Sequence, residues 1–188
     1  MNLFSGNKEQ QIIRMFGKGH PRAMDVLYAD YAGYLSGVCA RYVPNEEDLR
    51  DVLQESLIKV FTRIADFEYR GKGSLKAWLT RIVVNEALHF LRKQNPSMFV
   101  DTNMEQIDIA DETPDVSTLS DERIAMLIGM LPPGYRTVFN LYVMEGKSHK
   151  EIAQILNIKP DTSASQYHKA KNMLAKLINS EKRKEDVR

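Results

Sequence analysis

Thr162, Ser165, Gln166 and Lys169 recur at helical spacing in a stretch whose opposite positions, Tyr167, Ala170 and Leu174, are apolar. Short polar and basic side chains offered from the first turns of a helix suit the major groove of duplex DNA. Hydroxyls and amides read base edges there, and cations such as Lys159 and Lys171 meet phosphates. The residues just before it complete a helix-turn-helix. Ser148 and Glu151 have the S-x-x-E spacing of a capping box. Ile152, Ala153 and Leu156 give a short apolar stripe, Asn157-Ile158-Lys159 a tight turn, and Pro160 a residue suited to the first position of the second helix. The same pattern also describes a plain surface helix pair, so the rest of the chain must decide.

The elements that would carry this chemistry are helices throughout, and no alternating strand pattern of useful length appears. A first helix is expected over about 7–16, ending at Gly17-Lys18-Gly19, and a second over about 22–42 with Met24, Leu27, Tyr28, Tyr31, Leu35 and Val38 on its apolar face. Asn45 is suited to cap a third helix, whose Glu46, Glu47 and Asp48 favour a positive N-terminal end; Leu49, Val52, Leu53, Leu57, Val60 and Phe61 are expected to point inward. A glycine-containing loop, residues 68–73, precedes a fourth helix over about 74–93. A C-terminal set begins near Ser120, turns at Pro132-Pro133-Gly134 and runs into the helix pair, with a charged, frayed tail expected over 181–188.

Charge divides the chain in the same places. The net charge of +1 hides a first segment (1–94) with 14 basic and 11 acidic residues, a connector (95–120) with six acids and no Lys or Arg, and a last segment (121–188) with 12 basic and 8 acidic residues. Two mildly basic parts flank an acidic one, so DNA affinity should be modest and salt-sensitive. The connector also holds Pro96 and Pro114 and no sustained period. The expected architecture is therefore all-α, with two helical domains (1–94 and 120–188) joined by a flexible acidic linker (95–119), the C-terminal domain being a helix-turn-helix. Cys39 is the single cysteine and is expected in the core. It fits a reducing cytoplasm, as does an N-terminus without the basic-then-apolar order of a signal peptide.

Both parts resemble one family. Leu131-Pro132, Arg136, Val138-Phe139, Leu141, Glu145-Gly146, Ser148, Glu151-Ile152-Ala153 and Leu156 follow the C-terminal pattern of bacterial extracytoplasmic-function (ECF) sigma factors. Asp51-Val52-Leu53-Gln54-Glu55 resembles that family's D-x-x-Q-E signature. Tyr69-Arg70-Gly71, Trp78-Leu79, Ile82, Asn85 and Leu91-Arg92-Lys93 resemble its promoter-melting segment. The likeness spans roughly 20–94 and 120–178. It departs where the recognition helix often reads T-V-x-S-R-L and here reads Thr162-Ser163-Ala164-Ser165-Gln166-Tyr167, and where the loop has Lys72-Gly73 in place of an acid and a serine.

The resemblance implies a promoter-specific initiation factor with no catalysis of its own and no cofactor. Asp51, Gln54 and Glu55, which share one helical face, would dock on the basic coiled coil of the RNA polymerase β′ subunit, with the β subunit also in contact. Tyr69, Arg70, Lys72, Lys76, Arg81, Asn85, Arg92 and Lys93 would open and hold the −10 element: aromatic and apolar walls stack unpaired bases, cations take the backbone, and an amide pairs with a base edge. Trp78 is expected to anchor the loop to its helix. Arg136, Lys159, Thr162, Ser165, Gln166, Lys169 and Lys171 would serve the −35 element. The linker would let both units engage at once, its acids running along a basic channel of the polymerase. A membrane-tethered anti-sigma factor is implied as a restraining partner.

A stand-alone helix-turn-helix regulator, with a sensor or dimerisation domain in front, is the alternative; it would bind a palindromic duplex tightly without polymerase. Enzymatic readings have little support. Gly71-Lys72-Gly73-Ser74 does not match the phosphate-loop pattern, and His20, His89, His149 and His168 are scattered without metal-ligand spacing.

Overall fold

The computed structural model describes residues 8–99 and 119–185, with side chains through Glu181; residues 100–118 of the expected linker lie outside the described residues. Every regular element among them is helical. The chain divides into two compact units, 1–91 and 92–188.

In the N-terminal unit, α1 (Lys8–Gly17), α2 (Ala23–Ala40), α3 (Glu46–Arg63), a 3-10 turn (Ile64–Asp66) and α4 (Ser74–Gln94) follow one another, the last three residues of α4 counting with the second unit. Ile12, Leu27, Leu35, Val52, Leu79 and Val83 are all nearly or fully buried in its core. Each such side chain contributes about 1.5–3 kcal/mol on leaving water. Asn45 starts α3 as expected: its Oδ1 accepts from the amides of Glu47 and Asp48, both at 3.0 Å. The Lys59 ammonium pairs with Glu86 and ties α3 to α4. Tyr34 Oη and Thr80 Oγ1, 3.0 Å apart, tie α2 to α4. Cys39 is fully buried, and burial pushes its thiol up to about 11, so it packs as a small apolar residue.

Two expected core residues are not in the core. Tyr28 and Phe61 are 55% and 62% exposed, because the α2 and α3 faces that carry them flank an open groove of about 980 Å³. The periodicity that places them on an apolar face is correct, but no described residue of this unit covers that part of it.

In the C-terminal unit, α5 (Asp121–Gly129), α6 (Pro133–Val143), α7 (His149–Leu156) and α8 (Pro160–Glu185) pack around Ile128, Leu131, Phe139 and Ala170, with Tyr167 and Leu174 against them. Ser120 caps α5 by accepting from the Arg123 amide. The capping box at α7 is complete. Ser148 Oγ accepts from the Glu151 amide, and the Glu151 carboxylate accepts from the Ser148 amide at 2.9 Å. Asn157 ends α7 in the left-handed region (φ 56°, ψ 50°), a conformation its short amide side chain tolerates better than most. His149 Nδ1 and Ser163 Oγ, 3.0 Å apart, then bridge α7 to α8. The rings of Tyr142 and His149 stack at 4.7 Å, with Tyr167 beside them, so three helices share one aromatic clamp.

Two boundaries differ from expectation. The charged tail does not fray at residue 181, since α8 continues to Glu185. The linker does not begin at residue 95: Asn95–Phe99 forms a turn in which the Asn95 carboxamide accepts from the amide and hydroxyl of Ser97, and Phe99 is buried. The Met98 carbonyl comes so close to α6 that a Cβ on Gly134 would lie 2.6 Å from it. Only glycine allows that approach.

Candidate polymerase and nucleic-acid interfaces

Asp51, Gln54 and Glu55 are all exposed on α3, within an arc of about 100° at the helical 100° per residue. Val52, Ser56 and Val60 hold the other side of the helix against the core. Gln54 also borders the apolar groove, whose walls include Tyr28, Leu53, Leu57, Ile58 and Phe61. An acidic ridge therefore runs beside an uncovered apolar surface.

The second surface starts at the loop before α4. Arg70 and Lys72 are exposed and Tyr69 is half-buried. Gly71 and Gly73 take φ values of 113° and 91°, a region where a side chain would be strained, and this lets the loop fold tightly back on itself. Ser74 Oγ accepts from the Arg70 amide and the Gly71 carbonyl accepts from the Ser74 amide. Trp78, half-buried, packs its ring 5.1 Å from Phe67, the residue just before the loop. Along α4, Arg81, Asn85, His89 and Arg92 are exposed and fall within about 80° of arc, with Lys93 exposed a little further round. Lys76 is exposed but does not share that row. It sits about 140° away, with its ammonium 4.0 Å from the Tyr34 ring centroid. Arg92 donates to the Ile155 carbonyl at the end of α7.

On the helix-turn-helix, Lys159, Ser165 and Lys171 are exposed and Thr162 is half-buried, with the Lys171 ammonium 5.0 Å from the Tyr167 ring. Gln166 and Lys169 are placed differently. Gln166 is 1% exposed and donates through Nε2 to the Phe99 carbonyl at 2.9 Å. Lys169 is also buried, its ammonium toward the Tyr135 ring. Arg136, expected at the −35 element, is buried instead, and its Nη1 donates to the carbonyls of Gly129 and Leu131 at 2.8 and 3.0 Å. The Gly129 carbonyl ends α5 and the Leu131 carbonyl lies in the turn just after it, so the guanidinium satisfies a helix C-terminus and the turn that follows. Burial lowers the Arg136 pKa.

Sequence reasoning missed two contributors. Phe99 covers Gln166 from inside what reads as linker. Glu9, on α1, is 5% exposed and accepts from the Gly73 amide at 2.8 Å, the Lys76 amide at 3.2 Å and Tyr31 Oη at 3.4 Å. Burial, with the Glu9 carboxylate next, pushes the Tyr31 phenol up to about 12, so it remains a donor. No local signal marks these contacts, because Tyr31, Gly73 and Lys76 are all more than 20 residues away from Glu9.

A helix-turn-helix unit and a second helical unit that carries both a basic, glycine-shaped loop and an acidic ridge are the architecture of a modular, two-domain transcription protein. Comparison with known proteins gives the family. The family model described as Sigma-70 region 2 matches residues 27–96, and that described as Sigma-70, region 4 matches 121–174. The ECF RNA polymerase sigma-E factor of Salmonella typhimurium LT2 is 31% identical over 88% of this chain and 92% of its own length. That of Haemophilus influenzae is 29% identical over 90% and 95%. The RNA polymerase sigma-H factor of Pseudomonas aeruginosa is 26% identical over 94% and 96%. A solved structure of CnrH in complex with the cytosolic domain of CnrY shares the fold, with a TM-score of 0.50, 21% identity, and coverage of 92% of this chain and 98% of that one. The chain belongs to the ECF sigma factors, non-enzymatic initiation factors that direct RNA polymerase to promoters.

Proposed function

We propose that the N-terminal unit both docks on core RNA polymerase and opens the −10 element, while the C-terminal helix-turn-helix reads the −35 element. In this reading Asp51, Gln54 and Glu55 meet the basic coiled coil of the β′ subunit, with the β subunit also in contact, through acid–arginine pairs and an amide between them. Tyr69, Arg70 and Lys72 take the displaced strand from the loop side, and Arg81, Asn85, Arg92 and Lys93 from α4. Lys76 joins them once its ammonium leaves Tyr34. Lys159, Thr162, Ser165 and Lys171 meet the −35 duplex from the exposed face of the recognition helix. Gln166 and Lys169 contact it only after leaving Phe99 and Tyr135. Arg136 is assigned to holding α5 rather than to DNA.

One observation carries the division of labour: a single helical unit bears an exposed acidic ridge on α3 and an exposed row of Arg81, Asn85 and His89 on α4. A carboxylate ridge repels nucleic acid and suits a basic protein; the α4 row has the opposite preference. The uncovered groove beside the ridge further supports a protein partner on that side. We assign a restraining anti-sigma factor to the same protein-facing side, and a cytoplasmic site of action to the whole.

Run-off transcription with purified core polymerase on genomic fragments tests the reading. New discrete start sites that depend on this protein are expected. Specific duplex binding by the protein alone, with no polymerase association and no new starts, would replace it with the stand-alone regulator.

A further inference from the structure

The start of α4 lacks the side chain that normally closes a helix N-terminus. The residue before its first turn is Gly73, at φ 91°, where a serine, threonine or aspartate would be strained. A capping box satisfies two amides there: that of the cap residue and that of the third helical residue, here Lys76. Both are satisfied, from another helix. Glu9 Oε2 accepts from the Gly73 amide and Glu9 Oε1 from the Lys76 amide, so one carboxylate does the work of both members of a box from 64 and 67 residues away. Tyr31 on α2 steadies the same carboxylate through its hydroxyl.

We propose that Glu9 is a positioning residue for the melting loop: by capping α4 in trans it fixes the Tyr69–Gly73 loop in the geometry that receives single-stranded −10 DNA, although it touches no DNA itself. Loop and cap share atoms. The Gly73 amide that Glu9 holds is at the closing end of the loop, and the Arg70 amide is pinned to Ser74 Oγ on the first residue of the same helix. If the cap is lost, the first turn of α4 and the loop lose their common anchor. Arg70 and Lys72 stay in the chain but no longer sit at fixed positions relative to Asn85. The carboxylate is buried, so its charge acts on these two amides rather than on an approaching phosphate. This inference rests on the assignment of the loop to −10 capture.

The test uses the full-length protein assembled with core polymerase and a single-stranded oligonucleotide carrying the −10 sequence. Glu9→Gln keeps the volume and one acceptor but turns an NH2 group toward the other amide. It should weaken strand capture about tenfold, the equivalent of one charge-assisted hydrogen bond. Affinity for core polymerase should stay within twofold, and amide exchange should rise at residues 70–76 while α3 remains protected. Glu9→Asp, which restores the carboxylate on a shorter arm, should recover part of the loss. Arg70→Ala with Lys72→Ala is measured alongside. Loss of capture in that double variant but not in Glu9→Gln overturns the Glu9 proposal alone. No loss in either overturns the role of the loop itself. Loss in Glu9→Gln without loss in the double variant also overturns the proposal, because the effect then bypasses the loop.

Discussion

The basic residues of the two units have different uses. In the N-terminal unit, Arg70, Lys72 and Arg81 are exposed on a loop and helix held by contacts beneath them. In the C-terminal unit, Arg136 and Lys169 are buried, one on carbonyls at and just after the end of α5 and the other toward an aromatic ring, while Lys159 and Lys171 remain outside. The difference follows from what each site lacks. A helix end without partners for its last carbonyls recruits any guanidinium within reach. Around the loop before α4 the cations stay at the surface, Arg70 in an exposed pair with Glu68 at 3.3 Å, where solvent screens the attraction. A cation at a family position is a candidate DNA contact only where the fold has not already buried it on a partner of its own.

Reversing the acidic ridge should give the largest effect. Asp51→Arg with Glu55→Arg is expected to abolish co-purification with core polymerase while circular dichroism and melting temperature stay unchanged, since both side chains are exposed; retained co-purification would remove the ridge from the interface. Next, Asn85→Ala should reduce open-complex formation roughly tenfold, the value of one good base-edge contact, with closed-complex binding nearly intact. Equal loss in both would make Asn85 structural. The contrast between buried and exposed cations can be measured directly. Arg136→Ala should destabilise the C-terminal unit by about 1–3 kcal/mol, because two carbonyls lose their donor, without altering the salt dependence of −35 binding. Lys171→Ala should do the reverse, lowering that salt slope by about one with no change in melting.

The smallest effect concerns pH. Bonds from the Ser148 amide and then its hydroxyl, with Lys147 nearby, hold the Glu151 carboxyl below the usual carboxylate range. A carboxyl whose pKa is lower in the folded protein than in the unfolded chain adds stability above the unfolded value, and loses it as pH falls through the folded one. Glu151→Gln should therefore lower the melting temperature at pH 7 and leave it unchanged in acid below that lowered pKa.

Much of this molecule is legible in its residues. The caps at Asn45 and Ser148, the turn at Asn157 and the start at Pro160 are local events, set by side chains within three or four positions, and each is found as expected. The Ser120 cap is equally local, though the sequence reading expects only the start of a helix near it. The row on α4 is legible for the same reason, because helical periodicity alone aligns Arg81, Asn85 and Arg92. Exposure is harder to read. Tyr28 and Phe61 have the periodicity of core residues and lie outside it, since periodicity identifies an apolar face without saying what covers it.

By itself, then, the sequence determined the helices, their ends and the faces they present, because capping and amphipathic spacing act within a turn or two of chain. Tertiary structure decided which polar groups on those faces are satisfied internally. Glu9 reaches Gly73 and Lys76, Gln166 reaches Phe99, and Arg136 crosses from α6 to the end of α5. A buried amide or carbonyl must find a partner wherever the fold brings one, and that demand acts through space rather than along the chain.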